Sequence, residues 1–226
     1  MSRGHGSSLA QLERPDVPPD VTNDAAGLGD DDTSIYVMGA EAVGNYFPAT
    51  VTLDDLTVMN TADRYGHRYE LSPEGVLSVM PPAGSLHAAI ATQLTLWFGF
   101  AGWPGKQVYQ GVGIRVSGPD GEGGRIPDLT LWARPLPDGI WFTIDGLLLA
   151  VEIVSPGSTT MDGATKLQEY AATGVPRYWI IDRDEAQTVS MHVLGPDRAY
   201  EVAEKVPFAE LLRGAPGDYD LAWGAR

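Results

Sequence analysis

Glu152 is the residue whose setting first demands an explanation, because it stands inside the apolar run LLLAVEIV at residues 147–154. An ionised carboxylate in a dry strand costs several kcal/mol unless it is paired or bound to a metal. Two readings stay open at this level: a buried charge with partners to be found, or a strand that ends early and turns Glu152 to solvent at a sheet edge. A second carboxylate, Asp128, follows Pro127 at the start of the preceding predicted strand. The intervening residues suffice for a strand, a loop and a return strand that would set the two acids side by side. Such neighbours raise each other's pKa unless a divalent cation neutralises both. Pro-Asp is also a common turn dipeptide. Lys166 is the third element, with Tyr170 one turn later on the same helix face. A helix leaving the end of the Glu152 strand could carry Lys166 back over that carboxylate, or Lys166 could form a surface i,i+4 pair with Asp162.

The elements that must position these groups begin at about Thr61. The segment 61–82 reads as a helix or turn followed by a hairpin around Pro73-Glu74-Gly75. Leu86, Ile90, Leu94, Trp97, Phe98 and Ala101 recur at helical spacing after Ser85, a plausible N-cap, and Gly102 is a stop. Alternation at Val108, Val112, Ile114 and Val116 predicts one strand, turned by Gly118-Pro119-Asp120-Gly121. Strands follow at about 128–133 and 147–154, then a helix from Asp162 to Thr173 closed by Gly174. Further strands are expected at 177–182, 187–194 and 199–206. The order is that of an α/β unit bordering on α+β.

Composition narrows the chemistry. There is no cysteine, so thiol nucleophiles and Cys-ligated zinc are excluded and any metal must be held by oxygen or imidazole. The net charge is -15, which repels phosphate polymers at long range. Ten acidic residues against Arg3 and Arg14 fall in residues 1–60, so more than half of the excess lies in the first quarter of the chain. Residues 1–30 are expected to be an acidic mobile extension, 31–60 a lead-in, 61–206 the folded domain and 207–226 a tail docking on it. No apolar signal core opens the chain, and 88–101 is too short and too interrupted to span a bilayer, which takes roughly 20 apolar residues. A cytoplasmic protein without membrane contact is expected.

The ordered set Tyr69-Glu70-Leu71, His87, Pro127-Asp128, Val151-Glu152-Ile153-Val154-Ser155-Pro156, Ser158, Asp162, Lys166, Tyr170, Gly174-Val175 and Tyr178-Trp179-Ile180-Ile181-Asp182 resembles the Uma2 family. The resemblance covers about residues 52–205. It implies a restriction-endonuclease-like core of the PD-(D/E)xK nuclease superfamily: a mixed central β-sheet flanked by helices, with an added N-terminal hairpin region. It further implies a hydrolase cutting phosphodiester bonds of nucleic acid, DNA foremost, with Mg²⁺ or Mn²⁺. Asp128 and Glu152 would be metal ligands, joined by the Ile153 carbonyl. Glu70 would ligate the same or a second metal, and Tyr170 would orient Lys166 or a phosphate oxygen. The superfamily's lysine two residues after the strand acid is Val154 here, and Lys166 is the candidate replacement. A homodimer would suit double-strand cutting.

Other constellations fare worse. Neither an S-x-x-K motif nor a G-x-S-x-G elbow is present, and the glycine-rich stretches at 111–113 and 121–124 fit no nucleotide-binding loop. His87 reads either as a satisfied helix histidine or as a cleft residue. The tryptophans lie beside apolar runs, which favours core packing over base stacking. No basic run is present to track DNA; Arg64, Arg68, Lys106, Arg115, Arg125, Arg134 and Arg177 line a cleft only if the fold gathers them. A non-catalytic relative of the nuclease fold, acting as a binding or assembly module, is the competing expectation.

Overall fold

The computed structural model describes residues 50–154, 160–222 and 224, without the side chains of 160–162. All of them fall within the unit Gly39–Arg226. The expected extension at 1–30 and residues 31–49 of the lead-in lie outside the described residues.

Ordered secondary structure begins before the expected boundary at residue 61. Helix α1 (Leu53–Ala62) opens on a capping box in which the Thr52 hydroxyl accepts from Asp55 N–H and Asp55 accepts from Thr52 N–H. Its Leu56 and Met59, one turn apart, are buried with Tyr69 and Leu71 of β1 (Arg68–Leu71). Asn60 fastens the two elements by exchanging hydrogen bonds with the Tyr69 backbone. β1 pairs with β2 (Leu77–Met80) in the expected hairpin, whose Gly75 has φ +87°, a conformation that favours glycine.

Helix α2 (Ser85–Phe100) forms where expected, but its N-cap is Gly84 and the inward position of its first turn is His87 rather than Leu86. Steps of three and four from Ile90, Ala91, Leu94, Trp97 and Phe98 lead back to 87, and Leu86 is left outside that stripe. The single strand predicted over 108–116 is instead two, β3 (Val108–Gln110) and β4 (Gly113–Gly118), broken at Gly111 with φ +62° and assigned to different sheets. After β5 (Gly121–Arg125) come β6 (Leu129–Trp132), β7 (Trp141–Phe142) and β8 (Leu147–Ile153). Helix α3 (Thr160–Thr173), closed by Gly174 at φ +96°, leads to β9 (Arg177–Ile181), β10 (Thr188–Leu194), β11 (Tyr200–Pro207) and α4 (Phe208–Leu211).

A six-stranded mixed sheet runs β11-β10-β9-β8-β6-β3, with β8 and β9 parallel and joined through α3. The hairpin region is a second sheet of its own, β2-β1-β5-β4-β7. One face of the six-stranded sheet packs Leu149, Val151 and Ile153 against Ile90, Leu94 and Trp97 of α2. The opposite face packs Trp132 and Ala150 with Tyr170 of α3 and Ile114 and Val116 of β4. The molecule therefore has a mixed α/β architecture of central sheets flanked by helices. Phe208, Leu211 and Leu221 join the larger core, and the indoles of Trp97 and Trp103 donate to the Gly214 and Leu221 carbonyls. Trp132 and Trp179 are also core residues, and Trp223 lies outside the described residues. No described helix is long and apolar enough to cross a membrane.

Candidate active site

The period-two alternation of β8 settles which way Glu152 points. Leu149, Val151 and Ile153 face α2, so Ala150 and Glu152 face α3. β8 lies inside the sheet, between β6 and β9, and the Glu152 side chain is only 15% exposed. The solvated-edge reading is thereby excluded. β6 runs antiparallel to β8 with Leu129 opposite Val151, which brings Asp128 beside the end of β8. The Ile153 N–H donates to Asp128 Oδ2 at 2.8 Å. The N–H and C=O of one strand residue point to the same side, so the Ile153 carbonyl also faces that acid.

Helix α3 delivers Lys166, Glu169 and Tyr170 at i, i+3 and i+4, all buried. Lys166 Nζ lies 3.1 Å from Glu70 Oε2 and 3.2 Å from Glu152 Oε1. It is thus a buried bridge between β1 and β8; the expected alternative, a pair with Asp162, falls on a side chain outside the described residues. The Tyr170 hydroxyl donates to Glu152 Oε1 at 2.9 Å. Glu70 accepts the Ile126 N–H on Oε1 at 2.8 Å and meets Arg125 Nη1 on Oε2 at 3.3 Å.

Four groups that the sequence did not single out as partners complete the cluster. Arg125 forks onto Glu169 through Nε and Nη2, both at 2.6 Å. Arg68 Nη2 donates to Asp128 Oδ1 at 3.0 Å, and His87 Nε2 sits 2.9 Å from Asp128 Oδ2. Of the scattered arginines the fold gathers Arg68 and Arg125 here, whereas Arg115 and Arg134 pair with Glu122 and Asp145 elsewhere. The signal for Glu169 was its i+3 spacing from Lys166; nothing in the sequence distinguished Arg125 from a solvated arginine.

These contacts push the two central acids apart. Burial raises the Asp128 pKa, but the His87 hydrogen bond, the Arg68 charge and the Ile153 N–H outweigh it and hold the carboxyl below its usual range. Burial also raises Glu152, Lys166 opposes it, and the nearby Asp128 and Glu70 charges add to it, leaving Glu152 at about 7. Burial and then the Glu152 charge raise the Tyr170 phenol, which therefore stays a hydrogen-bond donor. Burial disfavours the Arg125 charge, yet Glu169 and Glu70 more than compensate.

The cluster floors a cavity of about 440 Å³ lined by Arg68, Met80, His87, Asp128, Glu152 and Lys166 among others. Among the described residues no group of three or more His, Asp or Glu side chains is arranged to hold a metal. The donor set nevertheless fits Mg²⁺ or Mn²⁺. Two carboxylates and a backbone carbonyl are hard oxygen ligands, and such a cation commonly takes one or two carboxylates and fills its other positions with water and substrate phosphate.

A family profile described as "Uma2: Putative restriction endonuclease" matches residues 53–220. Among solved structures, the chain is similar to one described as a putative nuclease belonging to DUF820 from Anabaena variabilis. The identity is 20%, the TM-score 0.49, and the match covers 67% of this chain and 83% of that one. No curated protein matches.

Proposed function

Because the chain belongs to the Uma2 family, whose core is restriction-endonuclease-like, we propose that it is a divalent-metal-dependent endonuclease hydrolysing phosphodiester bonds of DNA. The observation that carries this reading is the meeting of Asp128, just ahead of β6, Glu152 of β8 and Lys166 of α3 in one cavity. Asp128, Glu152 and the Ile153 carbonyl are the residues that would hold Mg²⁺ or Mn²⁺. When bound, the cation supplies Lewis acidity, polarising phosphoryl oxygens and making water a stronger nucleophile at neutral pH.

The protein's own groups do the rest. Tyr170 fixes the rotamer of Glu152 by donating to Oε1. In this reading Lys166, reaching the same oxygen, orients the attacking water or stabilises the negative charge that develops on the phosphoryl oxygens. Glu70 has both oxygens engaged, by Ile126 N–H on one side and by Arg125 and Lys166 on the other. In this reading its part is to position Lys166. Arg125 and Glu169 lock the helix that carries Lys166 onto β5.

A second reading, a nuclease fold used as a binding or assembly module, draws on the absence of a three-ligand acidic group among the described residues. Two measurements separate them: cleavage of plasmid and oligonucleotide DNA in Mg²⁺ or Mn²⁺, and Mn²⁺ binding by calorimetry. The enzyme reading expects cleavage that falls by about 10²-fold or more in E152A and K166A, the range for loss of a transition-state electrostatic contact. Wild-type protein that neither cuts nucleic acid nor binds Mn²⁺ would establish the module.

A further inference from the structure

Asp128 is held from two sides, and the two sides differ. Its Oδ2 is taken by the Ile153 N–H and His87, both deep in the fold. The partner of Oδ1 among the described residues is Arg68, the first residue of β1, whose side chain is 29% exposed. The two lysine and arginine side chains lining the cavity are Lys166 and Arg68. Lys166 is 5% exposed and bridges two carboxylates, so Arg68 is the one that reaches solvent at the mouth. Its contact with Asp128 runs through a single nitrogen, and a guanidinium carries five N–H donors in a fork suited to phosphate oxygens. Asp182 lies on the same cavity wall and repels an approaching phosphate, which makes a cation there the more necessary.

Resting on the metal-dependent reading above, the geometry points to Arg68 as the phosphate-binding residue of the site, and to a change of partner as the way it works. Without a divalent cation, Arg68 neutralises Asp128 through Oδ1. Asp128 and Glu152 would hold the cation, which would supply that neutralisation in place of Arg68, and the guanidinium would then be free to turn to a phosphodiester oxygen of the nucleic acid. Metal and nucleic acid then bind with positive coupling, and the coupling resides in Arg68. An acidic protein without a basic run in its sequence thereby acquires a phosphate contact that depends on metal.

Removing Arg68 has opposite effects on the two ligands. R68Q deletes a cation that competes for Asp128, so Mn²⁺ alone, titrated calorimetrically, binds about three- to tenfold tighter than to wild type. The same variant loses a phosphate contact. The slope of log affinity against log salt for a duplex oligonucleotide in Ca²⁺ falls by about one, while in EDTA it matches wild type. R68K keeps the charge and returns Mn²⁺ affinity towards the wild-type value. R134Q, at the far end of β6 and β8, changes neither quantity and serves as the control. Mn²⁺ binding by R68Q that is equal to or weaker than wild type overturns the exchange of partners. An unchanged salt slope in Ca²⁺ overturns the phosphate assignment. If wild-type protein fails to bind Mn²⁺ at all, the metal-dependent reading fails, and the inference with it.

Discussion

Glu152→Gln is the perturbation that most directly tests the electrostatics of the site. Glutamine keeps the size of the side chain and an oxygen able to accept from Tyr170 and Lys166, but it removes the charge. In the folded protein Glu152 holds its proton to about pH 7, against an ordinary value of 4.5. The folded state therefore binds one more proton than the unfolded chain between those values. Stability falls as pH rises through that window, and the loss is complete above about pH 7. At about 1.4 kcal/mol per tenfold, the full effect is on the order of 3 kcal/mol. Because glutamine mimics the protonated acid, E152Q and wild type should be equally stable at pH 4 without metal. At pH 8 the variant should be more stable by up to about that amount, or about 6–12 °C in Tm for a domain of this size. Scanning calorimetry of both proteins in EDTA across pH 4–8 measures the difference, and a repeat in Mn²⁺ shows whether the cation restores wild type and leaves E152Q unmoved. The reasoning is refuted if E152Q is less stable than wild type at pH 8, for then the Lys166 ion pair outweighs desolvation and acid repulsion.

Two further expectations concern the framework. Arg125→Met leaves Glu169 buried without its cation and Glu70 with Lys166 alone, and breaking a buried pair in this way costs about 3–5 kcal/mol. Urea denaturation should show that loss, and R125M combined with E169L should recover part of it. Gly123→Ala places a methyl 2.3 Å from the Leu71 carbonyl oxygen, a backbone atom that cannot move aside without opening the β1–β5 contact. A destabilisation of about 2 kcal/mol or more is expected, and a melting temperature equal to wild type would show that β5 tolerates displacement.

The central residues of the cluster are legible in the sequence because they violate local rules. A glutamate in an uninterrupted apolar strand, an aspartate at the start of its neighbour and one of only three lysines on the following helix each stand out by type and position. The supporting shell does not violate any. Arg125 ends the glycine-rich segment GEGGR, which becomes strand β5 because its glycines let the backbone lie against Leu71, Trp141 and Leu53. Glu169 in a helix of mixed polarity is indistinguishable from a solvated acid until β4 and β5 cover that face. His87 reads from the sequence as a satisfied helix histidine or a cleft residue, and the fold makes it both, partnered by Asp128 and lining the cavity.

The sequence by itself determined the mixed α/β order, the helices α2 and α3, the hairpin and the prominence of Asp128, Glu152 and Lys166, since periodicity and residue type are local properties. Tertiary structure alone decided that 108–116 divides between two sheets, that Glu70 is turned to Arg125 and Lys166, and that Arg68 and His87 hold the two oxygens of Asp128. Ion pairing in a buried cluster depends on which elements are brought within about 3 Å of each other and on how much water is excluded there. Both follow from sheet order and register, which no local stretch of the chain encodes.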